Sequence, residues 1–169
     1  AKASFYSGIQ QSIGIISGLV ISYFFGHFVP KNIYGDYNLI LSIIGILTLV
    51  TLPGIDSYLT RSIAQEFDSS FLRSIRIKFL FSLIGVPILL GFAFYYSGNI
   101  LLSTCFIISA VIFPFLAPAQ LYAEFLTAKQ KFKKLALFIS SSSILSAILF
   151  SLTILISGSL TLILFAYFL

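Results

Sequence analysis

The sequence predicts an all-α fold, a polytopic membrane helical bundle, and three observations carry that reading. Five apolar stretches of about 19 to 24 residues follow one another from Ile9 to Ser157, each the length a helix needs to cross a hydrocarbon core about 30 Å thick. Hydrophobic residues make up 59% of the chain and charged residues 9%, with a mean hydropathy of +1.07. A soluble domain carries roughly 25% charged residues, so a water-soluble core is excluded. Lastly, the basic residues fall on alternate loops. Each stretch is expected to be helical because lipid offers the backbone no hydrogen-bond partners.

The spans are expected at about 9–29, 37–59, 79–97, 100–123 and 135–157, with a sixth starting at Leu160 and cut short at Leu169. The first begins with Lys2 as its only basic residue and lacks a small-x-small cleavage site, so it is expected to be a retained helix rather than a signal peptide. Its residues Gln10, Gly14, Gly18, Ser22 and Gly26 recur every four positions on one face. Lipid tails are as apolar as leucine, so helices in membranes associate through close backbone approach, which small residues permit. The fifth span repeats the device with Ser142, Ser146, Thr153 and Ser157. Both faces are expected to meet protein or line a cavity, and the simpler reading of them is generic membrane packing with no role in substrate handling.

Prolines interrupt three spans: Pro53 in the second, Pro87 in the third, Pro114 and Pro118 in the fourth. Each removes an internal hydrogen bond and favours a kink. The carbonyls of Ala110 and Pro114 thereby lose their usual donors, and at membrane depth protein or a wet cavity must satisfy them. The short outer turns at Gly98–Asn99 and Gly158–Ser159 predict that consecutive helices are antiparallel neighbours. The segment from Thr60 to Lys78, with Glu66 and Asp68 among its basic residues, is expected to continue the second helix into water. Ala1 opens a chain without methionine and FAYFL closes it mid-span, so both termini are expected to be truncated.

The net charge of +5 is a matter of topology rather than of nucleic acid. Arg61, Arg73, Arg76, Lys78, Lys129, Lys131, Lys133 and Lys134 lie on one side together with Lys2, and only Lys31 lies on the other. Cytoplasmic loops are enriched in Lys and Arg, which places the N-terminus in the cytoplasm.

Intramembrane charge is the usual pointer to function in such a bundle, yet the middles of all five spans are uncharged. Asp56, Arg61 and Glu124 lie near the cytoplasmic ends of the second and fourth spans, and with Arg76 they are the candidate substrate contacts. Asp56 and Arg61 are five residues apart, about 140° around one helix, so they are not expected to pair along it. Arg61 is either a phosphate ligand at the inner mouth of a cavity, since guanidinium stays charged and binds phosphate bidentately, or a topology anchor among headgroups. Asp56 is either a proton or sodium site or a solvated carboxylate at a helix end. His27, beside Tyr23, Phe24, Phe25 and Phe28, either titrates near neutral pH or contacts headgroups. It is the one histidine and lies at the opposite membrane face from Asp56 and Glu124, so no Ser-His-Asp set can form. With no Walker motif, glycine-rich phosphate loop or histidine tract, no catalytic residue, cofactor or metal is expected. Cys105, the single cysteine, is expected to be a buried small residue without a disulfide partner.

Three segments together resemble a known family. GHFVPKNIYGDYNLI, between the first two spans, resembles the G-x-x-x-Y-G-x-Y region of Wzx-type polysaccharide flippases of the multidrug/oligosaccharidyl-lipid/polysaccharide exporter superfamily. GIDSYLTRSIAQEF is similar to the stretch closing the second helix there, with Gly54 and Arg61 at its Gly and Arg, and LTAKQKFKK resembles the basic inner loop after the fourth. Val29 stands where a Gly commonly precedes the Pro, and Thr127 where an Arg often precedes the Ala. The resemblance implies that residues 1–169 are most of the N-terminal six-helix lobe of a MATE-like transporter fold, a single transmembrane lobe whose C-terminal lobe is missing. It implies flipping of an undecaprenyl-pyrophosphate-linked oligosaccharide to the outer leaflet of a bacterial or archaeal cell (inner) membrane. The implied partners are membrane lipids, the lipid-linked glycan and other polysaccharide-assembly membrane proteins. Two alternatives stay open, a cation-coupled multidrug exporter of the same fold, which more often shows an acid deep in its first helix, and a non-transporting membrane scaffold.

Overall fold

The computed structural model describes residues 2–51, 54–65, 69–156 and 159–168, and these form helices joined by short turns, with no strand among them. The elements are α1 (Lys2–Phe28), α2 (Lys31–Val50), α3 (Gly54–Ala64), α4 (Ser69–Ser82), α5 (Gly85–Tyr95), α6 (Ile100–Ala128), α7 (Phe132–Ile156) and α8 (Leu160–Phe168). Five segments are long and apolar enough to cross a bilayer: Phe5–Phe28, Lys31–Leu49, Ser70–Tyr95, Ile100–Ala128 and Phe132–Ile156. The protein is therefore an all-α, multi-span membrane bundle. Its outward side chains fit that solvent: Phe94 is 84% exposed, Ile156 80% and Ile100 79%, positions that suit acyl chains and not water.

The chain forms two compact units, one from residues 1–37 and 131–169, the other from 38–130. In the first, α1 packs along α7, and α7 along α8. The partner of α1 along its length is thus a helix distant in sequence, not simply the next one; α1 meets the start of α2 at the corner, where the Phe25 ring lies 5.6 Å from that of Tyr34 and 4.9 Å from that of Tyr37. Phe150 of α7 completes this aromatic group at 6.0 Å from Phe25 and 6.1 Å from Tyr37. Such pairs contribute about 0.5–1.5 kcal/mol each beyond area burial, a useful increment where lipid removes most of the hydrophobic driving force between helices.

In the second unit α6 is the central helix, packed by α3, α4 and α5. Its buried residues Leu102, Cys105, Phe106, Ser109, Ala110, Phe113, Pro114, Ala117 and Leu121 recur at three- and four-residue steps along one stripe, as expected of one helix face. Pro114 and Pro118 lie within this continuous helix. Cys105 is buried and forms no disulfide among the described residues. Asn99 caps α6 by accepting from the Leu102 N–H at 3.3 Å, and Gln130, at φ 53°, turns the chain after its C-terminus.

Two expectations are corrected here. The second span does not run on into a watery extension: α2 ends at Val50, and α3 is a separate helix whose Leu59 and Ile63 are buried against Leu121. Residues Ile55, Leu59 and Ile63 repeat every four positions, so α3 has an apolar face of its own to bury. Pro53, Glu66, Asp68 and Ser157 lie outside the described residues. The third span is likewise made of two helices, α4 and α5, and Pro87 stands in the first turn of α5 rather than at a bend within one helix. The carbonyl that lacks the Pro87 donor belongs to Leu83, and it accepts instead from the Val86 N–H at 3.1 Å. A proline in a first turn removes an N–H with no helical acceptor, so the break sits just upstream of it.

Gly85 at this break is buried, and a Cβ there would lie 2.8 Å from Cδ1 of Phe113 and closer still to Cε1. The α5–α6 approach needs a residue without a side chain. Gly85→Ala is expected to lower stability by about 1–3 kcal/mol, the usual cost of overpacking. Gly91→Ala, where nothing lies within 4 Å, is expected to be neutral or to gain up to about 1 kcal/mol from helix propensity. Thermal unfolding read by a thiol-reactive fluorophore at Cys105 distinguishes the two.

Candidate functional site

The short helix α3 has two faces of opposite character. Ile55, Leu59 and Ile63 turn to the core, which leaves Asp56, Ser57, Thr60 and Arg61, at steps of one, four and five residues, on the other side. These four and Glu124 of α6 line an open groove of about 380 Å³. The Thr60 hydroxyl donates to the Asp56 carbonyl at 3.0 Å and lies 3.5 Å from the Glu124 carboxylate; the first is a hydrogen bond and the second a polar contact at the edge of bonding range. Arg61 is exposed and pairs with no side chain among the described residues.

Asp56 finds its partner on another helix. The Lys78 Nζ of α4 donates to its Oδ1 at 2.6 Å, with the lysine side chain 4% and the aspartate 33% exposed. Neighbouring residues of α4 continue this polar contact. Ser70, Ser74, Lys78 and Ser82 are all buried and stand four residues apart, so one buried face of the helix is polar throughout. Ser70 shares a 2.6 Å hydrogen bond with Ser62 of α3, and the Ser74 hydroxyl has no partner among the described residues. The Ser82 hydroxyl reaches the carbonyls of Phe79 at 2.7 Å and of Pro114 at 3.1 Å. The second of these is one of the two carbonyls left without a helical donor by the prolines of α6, and the donor it lacks comes from the neighbouring helix.

Of the candidate substrate contacts, the groove brings together Asp56, Arg61 and Glu124. Arg76 is exposed and not part of the lining: two residues from Lys78, it points about 200° around α4 from the buried face. The residue that sequence reasoning missed is Lys78, counted there as a loop charge. Its signal was present in the four-residue spacing of Ser70, Ser74, Lys78 and Ser82.

In the other unit, Gly14, Ser17 and Gly18 of α1 face Ser142, Ser143 and Ser146 of α7 across a groove of about 430 Å³, with Tyr37 and Tyr167 also in its wall. Close contact at the small residues of α1 is not what the structure shows. A Cβ at Gly14, Gly18 or Gly26 would meet nothing within 4 Å, and Gln10, Ser22 and Gly26 are outside the groove lining. The small side chains leave room there instead of drawing a helix in. His27, exposed at the end of α1, stacks on Tyr23 with ring centroids 4.7 Å apart.

Among the described residues no three His, Cys, Asp or Glu side chains gather where they could hold a metal ion. What the fold and this site define is a multi-span α-helical membrane protein with an ionic groove of mixed sign. The chain belongs to the polysaccharide biosynthesis protein family, whose model matches residues 1–169. Neither the curated proteins nor the solved structures offered a match.

The α4–α6 contact yields a direct expectation. Ser82→Ala leaves the Pro114 carbonyl without its donor inside the bundle, at a cost of about 1–3 kcal/mol. Ser141→Ala, which removes an exposed hydroxyl bonded only to its own helix, should leave the unfolding temperature unchanged, and measuring both side by side isolates the carbonyl's contribution.

Proposed function

We propose that this protein is part of a transporter that flips undecaprenyl-pyrophosphate-linked oligosaccharide from the cytoplasmic to the outer leaflet, supplying cell-surface polysaccharide synthesis. Membership of the polysaccharide biosynthesis family and five membrane-spanning segments support a transport role. The single observation that carries the substrate class is Arg61, exposed in the groove without a described counter-ion. Guanidinium is the cation best shaped for phosphate, because its fixed fork donates to two oxygens at once. Ser57 and Thr60 add hydroxyls beside it.

The excess of basic residues on alternate loops supports an N-terminus in the cytoplasm, which puts the groove at the inner side of a bacterial or archaeal cell membrane, where a lipid-linked glycan is assembled. Residues 1–169 then form most of the N-terminal lobe of a MATE-like fold, and alternating access against a second lobe carries the glycan across. The proposed work is transfer without bond cleavage: the sequence offers a single histidine, His27, and no catalytic set is expected around Ser57. Membrane lipids surround the bundle, and other polysaccharide-assembly membrane proteins are natural partners.

Arg61→Ala in the full-length protein is expected to abolish surface glycan while membrane abundance stays normal. Arg61→Lys should recover only part of export, as a point charge loses the bidentate geometry. A headgroup anchor would behave otherwise, with lysine substituting fully and alanine lowering abundance. Full export by a normally abundant Arg61→Ala protein would remove Arg61 from the mechanism.

A further inference from the structure

The partners of the Asp56–Lys78 pair are unequally hidden. The Lys78 side chain is 4% exposed, whereas Asp56 is 33% exposed and forms part of the groove wall that also holds Arg61. A buried ammonium requires an anion, and here the anion is supplied from the side that a ligand can reach. Asp56 also stands in the first turn of α3, where the unsatisfied N–H groups of the helix favour negative charge from any source. An anion entering the groove thus meets one cation that no described side chain neutralises and, behind Asp56, a second that is neutralised by a carboxylate.

We propose that Asp56 is an internal stand-in for a diphosphate. At rest its carboxylate occupies the anion position at Lys78; the diphosphate headgroup of a prenyl-linked substrate displaces it, meeting Lys78 with one phosphate and Arg61 with the other. This rests on the phosphate reading of Arg61 and extends it to a second cation and to the length of the anion. Five residues of helix rise about 7.5 Å, so a single phosphate held by Arg61 leaves Lys78 with Asp56, while two linked phosphates reach both. The exchange never strands the buried ammonium, which passes from one anion to another, and the displaced carboxylate, already a third exposed, turns to water. Glu124, 3.5 Å from the Thr60 hydroxyl in the same groove, repels an anion and so favours its placement by the two cations.

The test uses the full-length protein in nanodiscs of zwitterionic lipid, titrated with farnesyl diphosphate, inorganic pyrophosphate and inorganic phosphate, with binding read as ligand-dependent thermal stabilisation. Wild type should bind farnesyl diphosphate more tightly than pyrophosphate, and phosphate weakly. Asp56→Asn should be less stable without ligand yet bind farnesyl diphosphate about tenfold tighter, within the usual range for two groups competing through one position. The double variant Asp56→Asn/Lys78→Met leaves no charge unpaired and so guards against misfolding; it should bind about tenfold more weakly than wild type. Unchanged or weaker binding by Asp56→Asn, or wild-type binding by the double variant, would overturn the proposal and leave Asp56 as a structural counter-ion. Equal binding of pyrophosphate and farnesyl diphosphate would overturn the headgroup assignment in favour of a free diphosphate. Arg61→Ala separates the two readings. If it weakens binding while Asp56→Asn changes nothing, the stand-in falls and the role of Arg61 stands; if it changes nothing while Asp56→Asn tightens binding, Arg61 drops out and the exchange at Lys78 stands.

Discussion

A lysine ammonium buried to 4% exposure inside an apolar helical unit is the constraint on which the arrangement of residues 38–130 depends. Uncompensated, such a charge is costly by several kcal/mol, and removing its partner is far more damaging than never having the pair. The compensation comes from α3, a helix of 11 residues that is too short to be stable alone. Its apolar stripe seats on Leu121, and that seating is what brings Asp56 to within 2.6 Å of Lys78. The same rotation of α3 leaves Ser57, Thr60 and Arg61 on the groove. Packing, charge compensation and presentation of an exposed guanidinium are therefore three consequences of one helix orientation.

The polar face of α4 extends this logic from side chains to backbone. A helix in lipid has no water to satisfy what its prolines leave open, and α6 carries two prolines. Ser82 lies three turns from Ser70 on the same α4 face and donates to the Pro114 carbonyl, so the stripe that holds Lys78 also closes the gap in α6. Nearby, Gly85 lets α5 approach Phe113, which fixes α5 and α6 closely on the other side of the break. Rigid packing on α6 thus holds the elements from which the groove is built.

Span number was legible in the sequence because it depends only on length and apolarity, quantities local to each stretch. The independence of α3 was less so, since Thr60 to Lys78 reads as polar until Leu59 and Ile63 are matched with Leu121, about sixty residues away. Counting Lys78 with Arg73 and Arg76 as loop charge concealed it, although the serines at four-residue steps on either side mark a buried helix face. The need for glycine at position 85 is invisible without Phe113. The small residues of α1 show the reverse limit: their spacing identifies a face, but whether a neighbouring helix fills the space beside Gly14 and Gly18 or leaves it open is decided by the bulk of Phe138, Phe150 and Tyr167 around the groove. Asp56 and Arg61 were legible as a candidate pair of groups on one helix and Glu124 as a third, yet the partner of Asp56 was set by tertiary contact.

The central claim is that Asp56 and Lys78 act as a unit that, with the Leu121 contact, holds α3 in place. A double-mutant cycle on unfolding stability, with Asp56→Asn, Lys78→Met and the two combined, tests it most directly. The account predicts that the combined variant is more stable than Asp56→Asn alone, with a coupling of about 1–3 kcal/mol between the positions. Additive effects, with the combined variant as impaired as the sum of the two, would contradict it and show that α3 is held by Leu59 and Ile63 without help from the buried charge.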